Sequence, residues 1–369
     1  MTFDDTTNLK YIRLRGHSEF LNHFCTSYQN NTLHHAYLLS GNLGIGKSYL
    51  ARQLAAYLLQ EEYRDTSDEN SDHLDEVEYA LNLNEDCPVW RQVFYHSHPD
   101  LIYLSAIKSE ANKSGQIKLG DIKSISNLTN HQSGRGGWRV IILDSLDEIN
   151  KNGANAILKV LEEPPAKTIF FLMSHNISKV IPTIRSRCQQ IKLNPVTNSD
   201  VFLILKEQIL DLNNDELSGL IALCEGSPGM ALLISYSGII QFIKKFEVII
   251  QEKTPQLEKL LSLAADWGSA LSKNSKLSDA TIFVFDKLFS QAALFSVDAS
   301  RYYIRNEYSV TSSLSQIALI LTENFTANEL SNLHIEWQNS FREAQNSYLD
   351  MSIFMQQSIY EIYRQTHPG

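Results

Sequence analysis

Residues 41–48 read GNLGIGKS, and no other stretch constrains the fold as tightly. Gly41, Gly44, Ile45, Gly46, Lys47 and Ser48 lie within or complete the pattern G-x-x-x-x-G-K-[ST]. In such a loop, glycines let backbone N–H groups turn inward around a β-phosphate, the lysine reaches β/γ oxygens, and the hydroxyl can ligate Mg²⁺. The flanks agree with that reading. "AYLLS" (36–40) is a short apolar strand, and "SYLARQLAAYLLQ" (48–60) carries Leu50, Leu54 and Leu58 at helical spacing.

The same alternation continues downstream. "WRVIILD" (138–144) and "TIFFLMS" (168–174) read as buried strands, with the helix "ANAILKVLEE" (154–163) between them, stopped by Pro164 and Pro165. This order predicts an α/β domain with a parallel sheet covered by helices on both faces. Past Asn194-Pro195 the strand signals fade into two short helices, "SDVFLILKEQIL" and "NDELSGLIALCEG", the second closed by Gly226. From about residue 237 the chain is helical. Its last element carries Leu330, Leu333, Trp337, Phe341, Ala344, Tyr348, Met351 and Met355 as one stripe, behind a capping box of Thr326 and Glu329. These shifts divide the chain into residues 1–193, 194–236 and 237–369.

A phosphate loop needs an acidic partner at the tip of an apolar strand, and Asp144 stands there, placed to hold Mg²⁺ through water. Where such sites hydrolyse nucleotide, a glutamate directly after that aspartate polarises the attacking water. Here the next residue is Ser145, and Asp147 and Glu148 follow three and four positions after Asp144. A purely structural role, Asp144 capping its strand and the other two solvated, stays open from these residues alone.

The 369 residues carry a net charge of −10, but the charge is local. Residues 61–86 hold eleven acidic side chains against one basic, Arg64, so the rest of the chain is near neutral. That stretch reads as a solvated acidic insertion. Cys25, Cys87, Cys188 and Cys224 lie far apart, form no CxxC pair, and read as reduced thiols. No apolar run approaches a membrane span and the N-terminus lacks a signal-peptide core, so the expectation is a cytoplasmic protein without a membrane partner.

With these residues in hand, the chain resembles the clamp-loader subunits of bacterial DNA polymerase III, delta-prime above all, within the AAA+ class. The blocks that carry the resemblance are "LHHAYLLSGNLGIGKSYLA", "HPDL", "WRVIILDSLDEINKNGANAILKVLEEPP", "IPTIRSRCQQ" and "EGSPGMAL", over roughly residues 16–235. The resemblance implies a small helical lid over 194–236 and an all-α collar over 237–369. It implies that Arg187, in "SRC", projects into a neighbouring subunit's ATP site, where a guanidinium fork suits phosphate oxygens. It also implies that Ser174 is the polar sensor at its strand end. A surface ion pair for Arg187 and a strand cap for Ser174 are the plain alternatives.

Two departures bear on function. Met230 stands where the family offers a nucleotide-sensing arginine. Many members carry a four-cysteine zinc knuckle before "HPDL", whereas here Cys87 is flanked by Asn84 and Trp90 at the CxxC positions, so no zinc is expected and His96 and His98 read as loop histidines. The resulting expectation is a stator: a delta-prime subunit that holds ATP or ADP with Mg²⁺ at most, has little ATPase of its own, and assembles with delta and tau/gamma subunits to load the sliding clamp on primed DNA. It is a component of a polymerase holoenzyme without a polymerase site of its own. The alternatives are an active motor subunit of tau/gamma type and, more remotely, a P-loop kinase.

Overall fold

The computed structural model describes residues 13–60, 83–105, 137–149, 151–209, 212–252, 256–298, 309–347 and 349–366. Most of the acidic stretch, residues 61–82, lies outside them. The chain divides into two compact units, residues 1–208 and 209–369.

The first unit is built on five parallel strands, β1 (Ala36–Ser40), β2 (Leu101–Ser105), β3 (Arg139–Asp144), β4 (Thr168–Ser174) and β5 (Gln189–Lys192), in the order β2-β3-β4-β1-β5. Successive side chains in β1 point to opposite faces and enter different cores. Tyr37 and Leu39 join Phe20, Phe24, Leu50, Leu54, Ile142 and Phe171 on one side. Ala36 and Leu38 join Ile141, Leu143, Ile157, Leu161 and Phe170 on the other. Helices α1 (Ser18–Gln29), α2 (Lys47–Leu59) and α3 (Pro88–Phe94) contribute to the first core, and α4 (Lys151–Glu162) to the second. The short α5 (Pro182–Arg185) and then α6 (Asn198–Gln208) complete this unit. This is the parallel α/β sheet with helices on both faces that the strand–loop–helix alternation predicts.

The second unit is helical throughout its described residues: α7 (Asn214–Cys224), α8 (Pro228–Ser237), α9 (Ile239–Ile250), α10 (Leu257–Lys273), α11 (Ser275–Val297), α12 (Ser309–Asn324), α13 (Ala327–Asn346) and α14 (Met351–Thr366). Helix α11, 23 residues long, is by length and composition apolar enough to cross a membrane. In this unit it is a core helix: Leu277, Ala280, Val284, Phe285, Leu288 and Phe289 are buried, and Trp267 Nε1 donates to Thr281 Oγ1 at 3.1 Å. Met230 is buried on α8 at 2% exposure, a packing residue of this core.

The terminal stripe is two helices rather than one. The capping box of Thr326 and Glu329 starts α13 as expected, but that helix ends at Asn346. Asp350 Oδ1 then accepts the N–H of Ser352 at 2.8 Å and starts α14. The break allows α14 to fold back onto α10, where Gly268 makes the approach possible. A Cβ on Gly268 would collide with the Met351 carbonyl and the Ser352 Cα. Trp337, Phe341 and Ala344 on α13, and Met351 and Met355 on α14, are buried as the stripe predicts.

Candidate functional site

The phosphate loop hangs from the sheet at both of its neighbours. Gly41 N–H donates to Ser174 O at 3.3 Å, and Leu193 N–H donates to Ser40 O at 2.8 Å. Gly41 is tightly enclosed: a Cβ there would lie 2.6 Å from Ile45 Cδ1 and 2.7 Å from Leu193 O. Gly46, at φ 99°, turns the chain into α2 in a conformation that residues with side chains rarely adopt. Ile45 is buried at 1% exposure, and its carbonyl accepts from His17 Nε2 at 2.9 Å. Burial is the main reason the His17 ring is held below its ordinary pKa, so His17 meets the loop as a neutral donor.

Lys47 is 4% exposed, and its ammonium donates to Gly41 O and Asn42 O, both at 2.8 Å, and to His175 Nδ1 at 2.9 Å. Its three protons are thereby all directed at groups of this chain. Burial lowers the Lys47 pKa to about 8, against the partly compensating fields of Asp144 and Asp147. His175 is lowered to about 4, first by burial and then by Lys47. With Nδ1 accepting from Lys47, the neutral ring carries its proton on Nε2, which faces Ser145 Oγ at a long 3.5 Å.

Ser48 and Asp144, the two groups read from the sequence as magnesium ligands, are joined by a third residue. Ser48 Oγ lies 3.2 Å from the Tyr103 hydroxyl, and that hydroxyl donates to Asp144 Oδ2 at 3.1 Å. Asp144 is 3% exposed, and burial raises its carboxyl pKa above the ordinary carboxylate value. Mg²⁺ demands six oxygens at roughly 2.0–2.1 Å and keeps several waters. With the Tyr103 phenol lodged between Ser48 and Asp144, a hydrated ion does not fit as these side chains stand.

The other candidates fall in distinct settings. Ser145 is fully buried with φ 61°, and no carboxylate takes its place next to Asp144. Asp147 is engaged rather than solvated, its Oδ1 accepting the His175 N–H at 3.1 Å. Ser174 closes β4, its Oγ accepting the Asn176 N–H at 3.1 Å, as a strand cap does. Arg187 is half-exposed: it donates to Glu162 Oε1 at 2.6 Å and to Thr183 O at 3.0 Å. Cys188 beside it is buried, its thiol pushed up to about 12.

Where the resemblance would place a zinc knuckle, Cys87 caps α3, accepting the Trp90 N–H at 3.5 Å. Trp90 stacks on Phe94 at 3.9 Å and donates from Nε1 to the buried Gln53 Oε1 at 3.0 Å. Aromatic packing thus occupies this corner. Among the described residues, no three His, Cys, Asp or Glu side chains gather as a metal site.

Tyr103, His175 and His17 belong to this site and were not singled out in the sequence. Tyr103 lies in "LIYLS" right after "HPD", and the register of β2 with β3, which sets Ser105 opposite Asp144, brings it there. His175 directly follows the strand end at Ser174, a position that could have been read as site-facing.

Residues 16–197 match the family described as DNA polymerase III, delta subunit. The chain is 30% identical over 236 residues to the delta' subunit of DNA polymerase III from Pseudomonas aeruginosa, covering 64% of this chain and 66% of that one. It is 27% identical over 208 residues to the delta' subunit of Escherichia coli, covering 56% of each. It is 28% identical over 174 residues to the gamma subunit of Buchnera aphidicola, covering 47% of this chain and 42% of that one. The matches thus span between about two fifths and two thirds of these relatives' own lengths. Together with the P-loop sheet and the blocks along it, these similarities mark the chain as one that resembles the delta' subunits of DNA polymerase III.

Proposed function

We propose that this chain serves as a delta-prime stator in a clamp-loader ring, holding nucleotide at most and lending Arg187 to a neighbouring subunit's ATP site. The observation that carries this reading is the pair formed by Ser145 and His175 beside Asp144. Where a hydrolytic site needs a carboxylate to orient water, this chain offers a hydroxyl facing a neutral imidazole. Arg187, by contrast, is half-exposed, held by an ion pair to Glu162 and by the Thr183 carbonyl. Exposed pairs of this kind contribute only about 0–1 kcal/mol, so the guanidinium can exchange Glu162 for a phosphate at little cost. A finger delivered in trans accelerates phosphoryl transfer by roughly 10³–10⁵-fold in other systems.

In this reading residues 1–193 form the ATPase-like domain, 194–236 a lid without its sensing arginine, and 237–369 the collar through which the ring assembles. The partners are delta and tau/gamma subunits, with the sliding clamp and primed DNA reached through the complex. Ser174 Oγ accepts the Asn176 N–H and keeps its own proton, which a sensor would donate to the nucleotide. The motor alternative of tau/gamma type lacks both the acidic residue after Asp144 and a charge at Met230.

The experiment compares two variants in a complex reconstituted with delta and tau/gamma. Arg187→Ala should leave folding and nucleotide affinity of this chain unchanged while the complex loses ATP turnover and clamp loading. Lys47→Ala should remove nucleotide binding by this chain while the complex keeps most of its turnover. The reverse pattern would assign the motor role to this chain, and failure to assemble with either partner would end the clamp-loader reading.

A further inference from the structure

The P-loop of this chain combines an intact phosphate cradle with a blocked cation position. Tyr103 is held there from three sides. Its strand is registered against β3 with Tyr103 opposite Ile142, its ring stacks on His96 at 3.9 Å with planes 9° apart, and its hydroxyl links Ser48 Oγ to Asp144 Oδ2. One neutral oxygen thus satisfies both side chains that would otherwise face the ion. A hydrated divalent cation would have to break the hydrogen bonds to Ser48 and Asp144 and move a stacked ring, and a neutral phenol offers it little in exchange for lost water.

The cradle is not blocked in the same way. The Lys47 ammonium is held by two carbonyls of the loop itself and by His175, partners that a phosphate oxygen can replace. Gly44 and Gly46 keep the positive φ values, 78° and 99°, that turn a loop's N–H groups toward an anion.

We propose that Tyr103 stands in for the divalent cation, so that this site takes the phosphates of a nucleoside di- or triphosphate on Lys47 and the loop N–H groups without magnesium. Tyr103 is then a specificity-determining residue: it selects free nucleotide over its metal complex. This also removes the Lewis acid that phosphoryl transfer requires, a second reason for a silent site besides Ser145. The inference rests on the nucleotide-holding part of the reading above, and it is tested apart from assembly with partners.

The test is calorimetric titration of the full-length chain with ADP, once with Mg²⁺ and once with EDTA, for the unaltered protein, Tyr103→Phe and Tyr103→Ala. For the unaltered protein the two dissociation constants should agree within about threefold, a small fraction of the span that metal-dependent sites show. Tyr103→Ala, which opens room for a hydrated ion between Ser48 and Asp144, should bind ADP about tenfold or more tighter with Mg²⁺ than with EDTA. Tyr103→Phe keeps the ring stack and tests whether the hydroxyl bridge alone sets the preference; it should gain a smaller Mg²⁺ dependence, and it carries the comparison if the alanine variant does not fold. ADP binding by the unaltered chain that strengthens tenfold with Mg²⁺, no ADP binding in either buffer, or variants as indifferent to the metal as the parent would each overturn the proposal. None of these outcomes touches the clamp-loader reading, which stands or falls on assembly with delta and tau/gamma.

Discussion

Lys47 and His175 lie 2.9 Å apart, the ammonium donating to Nδ1, so the lysine of the G-K-S pattern is held by an imidazole of the neighbouring strand end. Both groups are buried and both are pushed toward their neutral forms. The bond lasts only while His175 is neutral, because a protonated ring cannot accept from an ammonium and would repel it.

This makes stability depend on acid. The folded His175 titrates at about 4 against an ordinary 6.5, so between those values the unfolded chain binds a proton that the folded chain does not. Its contribution to stability is therefore present above about pH 6.5 and is lost as pH falls toward about 4. Lys47 and Asp147 are the two charged groups that act on it most strongly, with opposite signs. The melting temperature of the first unit should drop over this window, and His175→Asn, which keeps an acceptor for Lys47 but cannot titrate, should flatten part of the drop. Equal acid slopes in the two proteins would refute the assignment.

Gly41→Ala should destabilise the first unit by about 1–3 kcal/mol, the usual cost of overpacking a closed site. The added methyl meets the Leu193 carbonyl, which is backbone and cannot swing away, as well as Ile45 Cδ1. Thermal unfolding measures the loss, and ADP titration should weaken in parallel because the loop can no longer seat against the sheet.

Removing the latch on Arg187 should be nearly neutral for folding. Glu162→Gln should change stability by no more than about 0.5 kcal/mol, since the Glu162 carboxylate is half-exposed and surface pairs are weak. In the reconstituted complex, ATP turnover should be retained or raised because the guanidinium is easier to recruit. A stability loss of about 2 kcal/mol or more would show that the pair is structural instead.

In the second unit, Gly268→Ala should loosen α14. A methyl at that point collides with the backbone of Met351 and Ser352, so the first turn of α14 must lift from α10. Hydrogen exchange over residues 351–366 should accelerate while the sheet of the first unit keeps its protection. Unchanged exchange in α14 would mean that the helices adjust around the added group.

The sheet was legible in the sequence wherever a strand is buried on both faces. β1, β3 and β4 are fully buried, and each shows as a continuous apolar run. β5 reads QQIK and lies at the edge, its side chains alternately half-buried and exposed, so no apolar run announces it. β2 forms the opposite edge; its LIYLS does carry a short apolar run, but only Leu101 and Ile102 are buried, and it was not singled out in the sequence. The last helices misled differently: Leu330 to Met355 keep a helical spacing across a turn, because α13 and α14 both bury the face that the stripe marks, while the break at Ser347–Asp350 carries no proline or glycine to signal it.

In the candidate site, the loop and Asp144 were legible because their chemistry is written as a contiguous pattern. Tyr103 and His175 were not. Each arrives by strand register, from positions 41 residues before Asp144 and 128 after Lys47. Spacing along the chain holds no trace of such neighbours, and only the order of strands brings them together.

The way Gly41 is enclosed has a consequence for how such signatures persist. Its N–H ties the loop to the end of β4, its missing side chain makes room for Leu193 O, and Ile45 packs directly over it. The glycine that opens the phosphate loop is here also part of the clasp that fastens the end of β1 to its two neighbours, β4 and β5. Selection for a folded first unit alone is then enough to keep Gly41 in place, whether or not the loop ever holds a nucleotide.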